Sequence, residues 1–230
     1  VPGANTEYLL YQTLVGTFPF DSEDLEDYSG RICNYLVKAV REAKEHTSWL
    51  SADTAYEEAL CRFIDRLLLT PAPDDPFMVD FLPFAKMVSR FGVYNSLSQT
   101  LIKITAPGVP DVYQGTELFD FSLVDPDNRR AVDFVRRKKL LKEIRGRQQP
   151  GPLEPPEGAG KKEDDDRKKF YLVYAALQTR KHRPALFRHG RFQPVYAAGR
   201  FAAHVVAFAR IHGGQYSLTA VPRWLATGVP

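Results

Sequence analysis

GVPDVYQGTELFDFSLVDPDNRR, Gly108 to Arg130, joins a short apolar run to a loop crowded with functional side chains. The Pro107-Gly108 pair marks a tight turn, and Val109 to Gln114 behind it reads as a strand. The stretch carries a Gln, a Glu, four Asp, an Asn and two adjacent Arg, more than a plain connection needs. A loop of that composition at a strand end looks like the wall of a binding site. Planar Arg forks beside Asp and Asn suit recognition of vicinal hydroxyls, and Tyr113, Phe119 and Phe121 offer flat apolar faces. The plainer alternative is that Asp-Pro-Asp-Asn makes a turn and the Arg residues close ion pairs with neighbouring Asp. At this level both remain open.

The chain upstream is helical. From Ser29 to Lys44, residues Ile32, Leu36, Ala39, Val40 and Ala43 share one face, the mark of a surface helix packed on a core. Thr54-Ala-Tyr-Glu57 fits a capping box, and Tyr56, Leu60, Phe63, Ile64 and Leu67 continue at helical spacing until Pro71 and Pro73 stop the helix near Thr70. Between these helices lies the polar connection Glu45 to Asp53. Helical pattern resumes at Met78, is expected to break near Gly92, and returns from Tyr94 to Thr105. Helix, tight turn, strand and functional loop make an α/β repeat, in which active-site groups gather at C-terminal strand ends.

Downstream the character changes. Arg145 to Lys169 is rich in Pro, Gly, Glu and Lys and reads as an exposed insertion, with Asp164, Asp165 and Asp166 as a solvated patch rather than a metal site. A helix is expected from Phe170 to His182, with Leu172, Ala175, Ala176 and Thr179 at helical spacing. RFQPVYA, AHVVAFARI and QYSLTAVP then read as three strands, the last two joined by a hairpin at Gly213-Gly214. Three strands are few for an independent β domain.

With 230 residues, 44% of them hydrophobic, the chain can build one large domain or two small ones, which excludes disorder of the whole. A net charge of +3 with scattered basic residues, and no nucleic-acid motif, argues against nucleic acid as partner. Cys33 and Cys61 lack metal-ligand spacing and read as reduced structural thiols in a reducing compartment. His182, His189, His204 and His212 also lack ligand spacing, so no metal is expected. No signal peptide is evident and no apolar run reaches the ~20 residues that span a bilayer, so a soluble cytoplasmic protein without membrane contact is expected. A first residue Val1 and a last residue Pro230 directly after a strand pattern suggest a piece of a longer polypeptide.

TAPGVPDVYQGTEL resembles the eighth-strand region of the α-amylase superfamily. The longer run to Phe134, with NTEYLLYQTLVGTFP near the start and KAVREAKEHTSWLSADTAYEEA in the middle, resembles the maltooligosyltrehalose synthase family in order and spacing. RKHRPALFRHGRFQPV and AAHVVAFAR are similar to that family's C-terminal domain. The likeness covers nearly the whole chain. Its departures are Gln148 to Lys168, which has no clear counterpart, and Ala131, where the family carries Pro.

The resemblance implies an α/β fold class: the C-terminal part of a (β/α)8 barrel, mostly helices plus the eighth strand, then part of a C-terminal antiparallel β domain. Residues 1–144 would end the barrel, 145–169 would be the insertion, and 170–230 a helix and partial β domain. It implies an intramolecular transglycosylase that turns the reducing-end α-1,4 linkage of a maltooligosaccharide into an α,α-1,1 linkage by a retaining mechanism, without metal or organic cofactor. The family's catalytic Asp, Glu and Asp lie upstream of the position matching Val1, so no catalytic residue is expected here and the chain alone should be inactive. Its partners would be the maltooligosaccharide and the N-terminal part of the same polypeptide. The substrate wall would be Gln114 and Glu117 at the strand mouth, with Asp125, Asp127, Asn128, Arg129 and Arg130 in the loop. Weaker candidates are Trp49, read as a packing anchor between helices rather than a sugar platform, and Tyr8, Tyr11 and Gln12, read as ordinary helix packing. The competing functions are another α-1,4-glucan-acting enzyme of the superfamily, or a non-catalytic carbohydrate-binding or interaction module.

Overall fold

The computed structural model describes residues 2–20, 25–72, 74–146 and 162–228. They form two compact units: Val1–Ser89 with Phe121–Ala131, and Arg90–Asp120 with Val132–Pro230.

The first unit is helical. It contains α1 (Ala4–Thr17), α2 (Leu25–Ala43), α3 (Thr54–Leu68) and the beginning of α4 (Pro76–Thr105). Of the stripe expected on α2, Ile32, Leu36 and Val40 are buried, while Ala39 is half-buried and Ala43 exposed; with Tyr28 they meet Leu60, Ile64 and Leu68 of α3 and Leu10 and Leu14 of α1. Each such side chain contributes roughly 1.5–3 kcal/mol by leaving water, so the amphipathic spacing is what fixes this core. Phe77 stacks on Tyr11 at 4.8 Å and on Phe81 at 5.1 Å, extending the core along α4.

Three expectations need correction here. The α3 cap is Asp53, whose carboxylate accepts from Tyr56 N, rather than Thr54. Glu57 does not fold back onto the helix end because Arg41 and Thr47 engage it. The helix from Pro76 runs through Gly92 to Thr105 without a break, and it tolerates Pro83 inside it; a helical glycine costs only ~1 kcal/mol, which packing overrides. Cys33 and Cys61 are not separate thiols: α2 and α3 bring their Cα atoms to 5.2 Å and they form a disulfide. That pairing removes the ground on which a reducing compartment was expected. Among the described residues no helix is long and apolar enough to cross a membrane.

The second unit holds the rest of α4, α5 (Phe134–Gly146), α6 (Lys162–His182), α7 (Pro184–His189) and a sheet of β1 (Arg191–Val195), β2 (Val205–His212) and β3 (Gln215–Pro222), followed by α8 (Leu225–Gly228). The sheet is an antiparallel meander in the order β1-β2-β3, in which Val195 pairs with Ala207 and His212 with Gln215. Gly213 and Gly214 close the β2–β3 hairpin with φ of 55° and 75°, the doubly left-handed turn that paired glycines permit. Thr219 on β3 donates to Thr105 on α4 at 3.0 Å, and Arg180 on α6 donates to the α4 carbonyl of Ile104 at 2.9 Å, satisfying the end of that helix.

Val109 to Gln114 is not a strand; it follows α4 as irregular chain and enters turns at Gln114. A ladder needs a neighbouring backbone to pair with, and among the described residues none pairs with this segment. The insertion also differs. α5 extends to Gly146 and α6 begins at Lys162, eight residues before the expected start, while 147–161 lie outside the described residues. Asp165 and Asp166 are buried within α6 rather than solvated, because they continue the stripe of Lys169, Val173 and Ala176 that packs inward. The observed architecture is thus mixed helix with a small antiparallel sheet.

Candidate functional site

The seven site residues expected from sequence fall into two groups. Asp125, Asp127, Asn128, Arg129 and Arg130 belong to the first unit, and Gln114 and Glu117 to the second.

In the first unit, Phe121–Ala131 is anchored on α2. Arg31 donates from Nε and Nη2 to the two oxygens of Asp127, at 2.9 Å each, and from Nη2 to Phe121 O at 3.0 Å. Lys38 Nζ donates to Asp125 O at 2.7 Å, and Leu123 inserts its side chain at the edge of the helical core. A cis peptide joins Asp125 to Pro126, and a short 3₁₀ turn spans Asp127–Arg129. Asp127 also accepts from Leu123 N, which holds the loop closed on itself. Burial works against the Asp127 charge, but Arg31 and the Leu123 amide outweigh it and hold the carboxyl below its ordinary range.

That bonding follows the turn alternative. Arg129 pairs with Asp125, and Arg130 lies 3.3 Å from Asp127 while donating to Ser122 Oγ at 3.2 Å. Both guanidinium groups nevertheless stay open to solvent, with side chains 71% and 51% exposed against 13% for Asp127. Asp127 is therefore a strut, while the two arginines keep solvent access.

In the second unit, Gly115 to Leu118 makes a compact turn. Gly115 has φ of 97°, which L side chains rarely adopt. Glu117 Oε2 accepts from Gly115 N and from Arg137 Nε, each at 3.1 Å, while Arg137 Nη2 donates to Gly115 O at 2.7 Å. One carboxylate oxygen is thus locked, and among the described residues none engages Oε1, on a side chain 27% exposed. Gln114, just before Gly115 in the chain, is exposed. Behind the turn, Lys169 Nζ donates to Leu118 O at 2.9 Å, and Asp166 accepts from Phe119 N at 2.8 Å and from Arg136 Nη2 at 2.7 Å. Burial first, then nearby Lys103, lowers the Lys169 pKa.

Among the described residues no group of three or more His, Cys, Asp or Glu is placed to hold a metal ion. Trp49 does not anchor helix packing: it is 57% exposed, with the Arg41 guanidinium 5.0 Å from its ring centre. Thr47 is the buried member of that connection, donating to Glu57 Oε1 at 2.6 Å.

No protein-family model matches the chain. The Mycobacterium tuberculosis protein that bears the name maltooligosyl trehalose synthase is 37% identical over 223 residues, which is 97% of this chain and 25% of that protein. A crystal structure of a maltooligosyl trehalose synthase superposes with a TM-score of 0.77 at 30% identity, over 98% of this chain and 28% of its own. The Arthrobacter ramosus maltooligosyltrehalose synthase gives 0.75 at 33% identity, over 97% and 26%. This chain is similar to the maltooligosyltrehalose synthases along nearly its whole length. It spans about a quarter of the length of the synthases it matches.

Against the synthase likeness, four supporting residues escaped the sequence reading. Nothing in the spacing of Arg31, Arg136 or Arg137 singles out a long-range carboxylate partner. Asp166 had a signal: it lies three residues before Lys169 and seven before Val173, in phase with the buried stripe of α6.

Proposed function

We propose that this chain is the part of a maltooligosyltrehalose synthase that ends the (β/α)8 barrel and begins the C-terminal β domain. Residues 1–144 would complete the barrel with Val109–Gln114 in the eighth-strand position, 145–169 would be an insertion, and 170–230 would open the β domain. The observation that carries this reading is a collinear likeness to these synthases over 97% of the chain. An eighth strand would find its parallel neighbours in barrel strands of the longer polypeptide, which accounts for its irregular path here.

In this reading the chain supplies a substrate wall and not the reacting carboxylates. Arg129 and Arg130 present solvent-facing N–H forks to glucose hydroxyls, with Asp125 and Asp127 fixing their direction. Asn128 belongs to the same loop. On the second unit, taken by itself, Glu117 offers Oε1 to a hydroxyl while Arg137 holds the other oxygen, with Gln114 as a further polar candidate. The reaction is an isomerisation. A retaining glycosyl transfer releases the terminal glucose, which turns and attacks through its anomeric hydroxyl, so the wall must hold glucose and exclude water.

Product analysis of the longer polypeptide on maltopentaose tests this. Loss of reducing ends with little free glucose is the expected outcome. Release of shorter reducing sugars would instead identify a glucan hydrolase, and binding without conversion a non-catalytic module.

A further inference from the structure

The buried charges of α6 have no part in the proposed wall, yet two of them close on a single peptide group. Leu118 C=O and Phe119 N–H belong to the same peptide plane. The Lys169 ammonium donates to its oxygen at 2.9 Å, and the Asp166 carboxylate accepts from its nitrogen at 2.8 Å. Asp166 is 1% exposed and Lys169 7%. Burying two such charges is unfavourable unless each is fully engaged. Arg136 balances the second Asp166 oxygen at 2.7 Å, and the Lys169 ammonium lies 4.8 Å from the centre of the Phe119 ring.

This grip has a direction. A flipped plane would turn the carbonyl toward a carboxylate and the N–H toward an ammonium, so only one orientation satisfies both charges. Glu117 immediately precedes the plane, and its own anchor, Arg137, neighbours Arg136 on α5. The turn is therefore held from the α5 side at Gly115 O and Glu117, and from the α6 side at Leu118 O and Phe119 N. We propose that Asp166 and Lys169 are positioning residues that fix the 118–119 peptide plane and thereby aim the Glu117 carboxylate at the glucan. The inference deepens the substrate-wall reading and rests on it.

The test uses Asp166→Asn, Lys169→Met and Lys169→Arg in the full polypeptide, with three readouts: thermal melting, amide exchange over 115–119, and maltopentaose Kd by titration calorimetry. Binding is chosen so that a protein which binds but does not isomerise overturns the reaction while the positioning is still judged. Lys169→Met is expected to raise both Phe119 exchange and Kd by about tenfold, the scale of one hydrogen bond to a charged group. Lys169→Arg is expected to restore both. Asp166→Asn, which keeps an acceptor but loses the Arg136 charge, is expected to fall between them. Unchanged exchange in Lys169→Met would overturn the grip. Raised exchange with unchanged Kd, or a wild-type protein that does not bind maltopentaose, would overturn its role in aiming Glu117.

Discussion

Arg31 on α2 holds both oxygens of Asp127, 96 residues further along the chain, at 2.9 Å. The pair ties the acidic loop to the helical core from which its exposed arginines project. It also divides the loop's charges: Asp127 is committed to structure, while Arg129 and Arg130 face solvent.

Asp127→Ala should therefore leave the half-buried Arg31 guanidinium without its carboxylate, with the Phe121 carbonyl as its remaining acceptor. We expect a loss of about 2–4 kcal/mol, somewhat below a fully buried pair because both side chains keep some solvent access. Urea denaturation read by far-UV circular dichroism checks this, and Asp127→Asn should recover only part of the loss.

Arg129→Ala should behave differently. Its side chain is mostly exposed and its ion pair with Asp125 lies at the surface, so stability should change by no more than about 0.5 kcal/mol. Affinity of the full polypeptide for maltopentaose should fall by about tenfold if the guanidinium binds sugar hydroxyls. A melting curve and a binding titration on the same sample separate the two effects.

Glu57 gives the first unit an acid limb. Hydrogen bonds from Arg41 and then Thr47 lower its pKa to about 2. A carboxyl depressed on folding stabilises above its unfolded pKa, roughly 4.3, and that stability is lost as pH falls toward the folded value. Asp127, also depressed, acts in the same direction. Between about pH 4.5 and 2 the wild type should lose melting temperature steadily. Glu57→Gln should start lower at neutral pH and show a shallower slope.

Gly115→Ala tests the turn that carries Glu117. A Cβ there meets Asp120 and Val132 only at ordinary contact distances of 3.5 and 3.6 Å, so the φ of 97° is the obstacle. The strain should cost about 1–3 kcal/mol or shift the turn, and amide exchange at 115–118 distinguishes the two responses.

Helix periodicity made much of this legible. Ile32, Leu36 and Val40 face the core as their spacing requires, and the glycine pair places the hairpin between β2 and β3. What sequence could not supply were interactions whose partners lie far apart in the chain. Arg31 and Asp127 illustrate this, as does the disulfide of Cys33 with Cys61, which depends on the facing of α2 and α3. The acidic run misled because composition outweighed phase: Asp166 reads as solvated by its neighbours and as buried by its register with Val173. Trp49 misled in the opposite sense, since a large aromatic between helices usually packs, whereas here it stands 57% exposed beside Arg41.

The most direct measurement of the central claim is conversion of maltopentaose to a non-reducing product. It would be run with this chain alone and with the chain plus the remaining synthase sequence as a separate folded polypeptide. Product only from the mixture, lost when Arg129 and Arg130 are both replaced by Ala, is the expected result. Product from this chain alone, or none from the mixture when both pieces are folded and associated, would contradict the account.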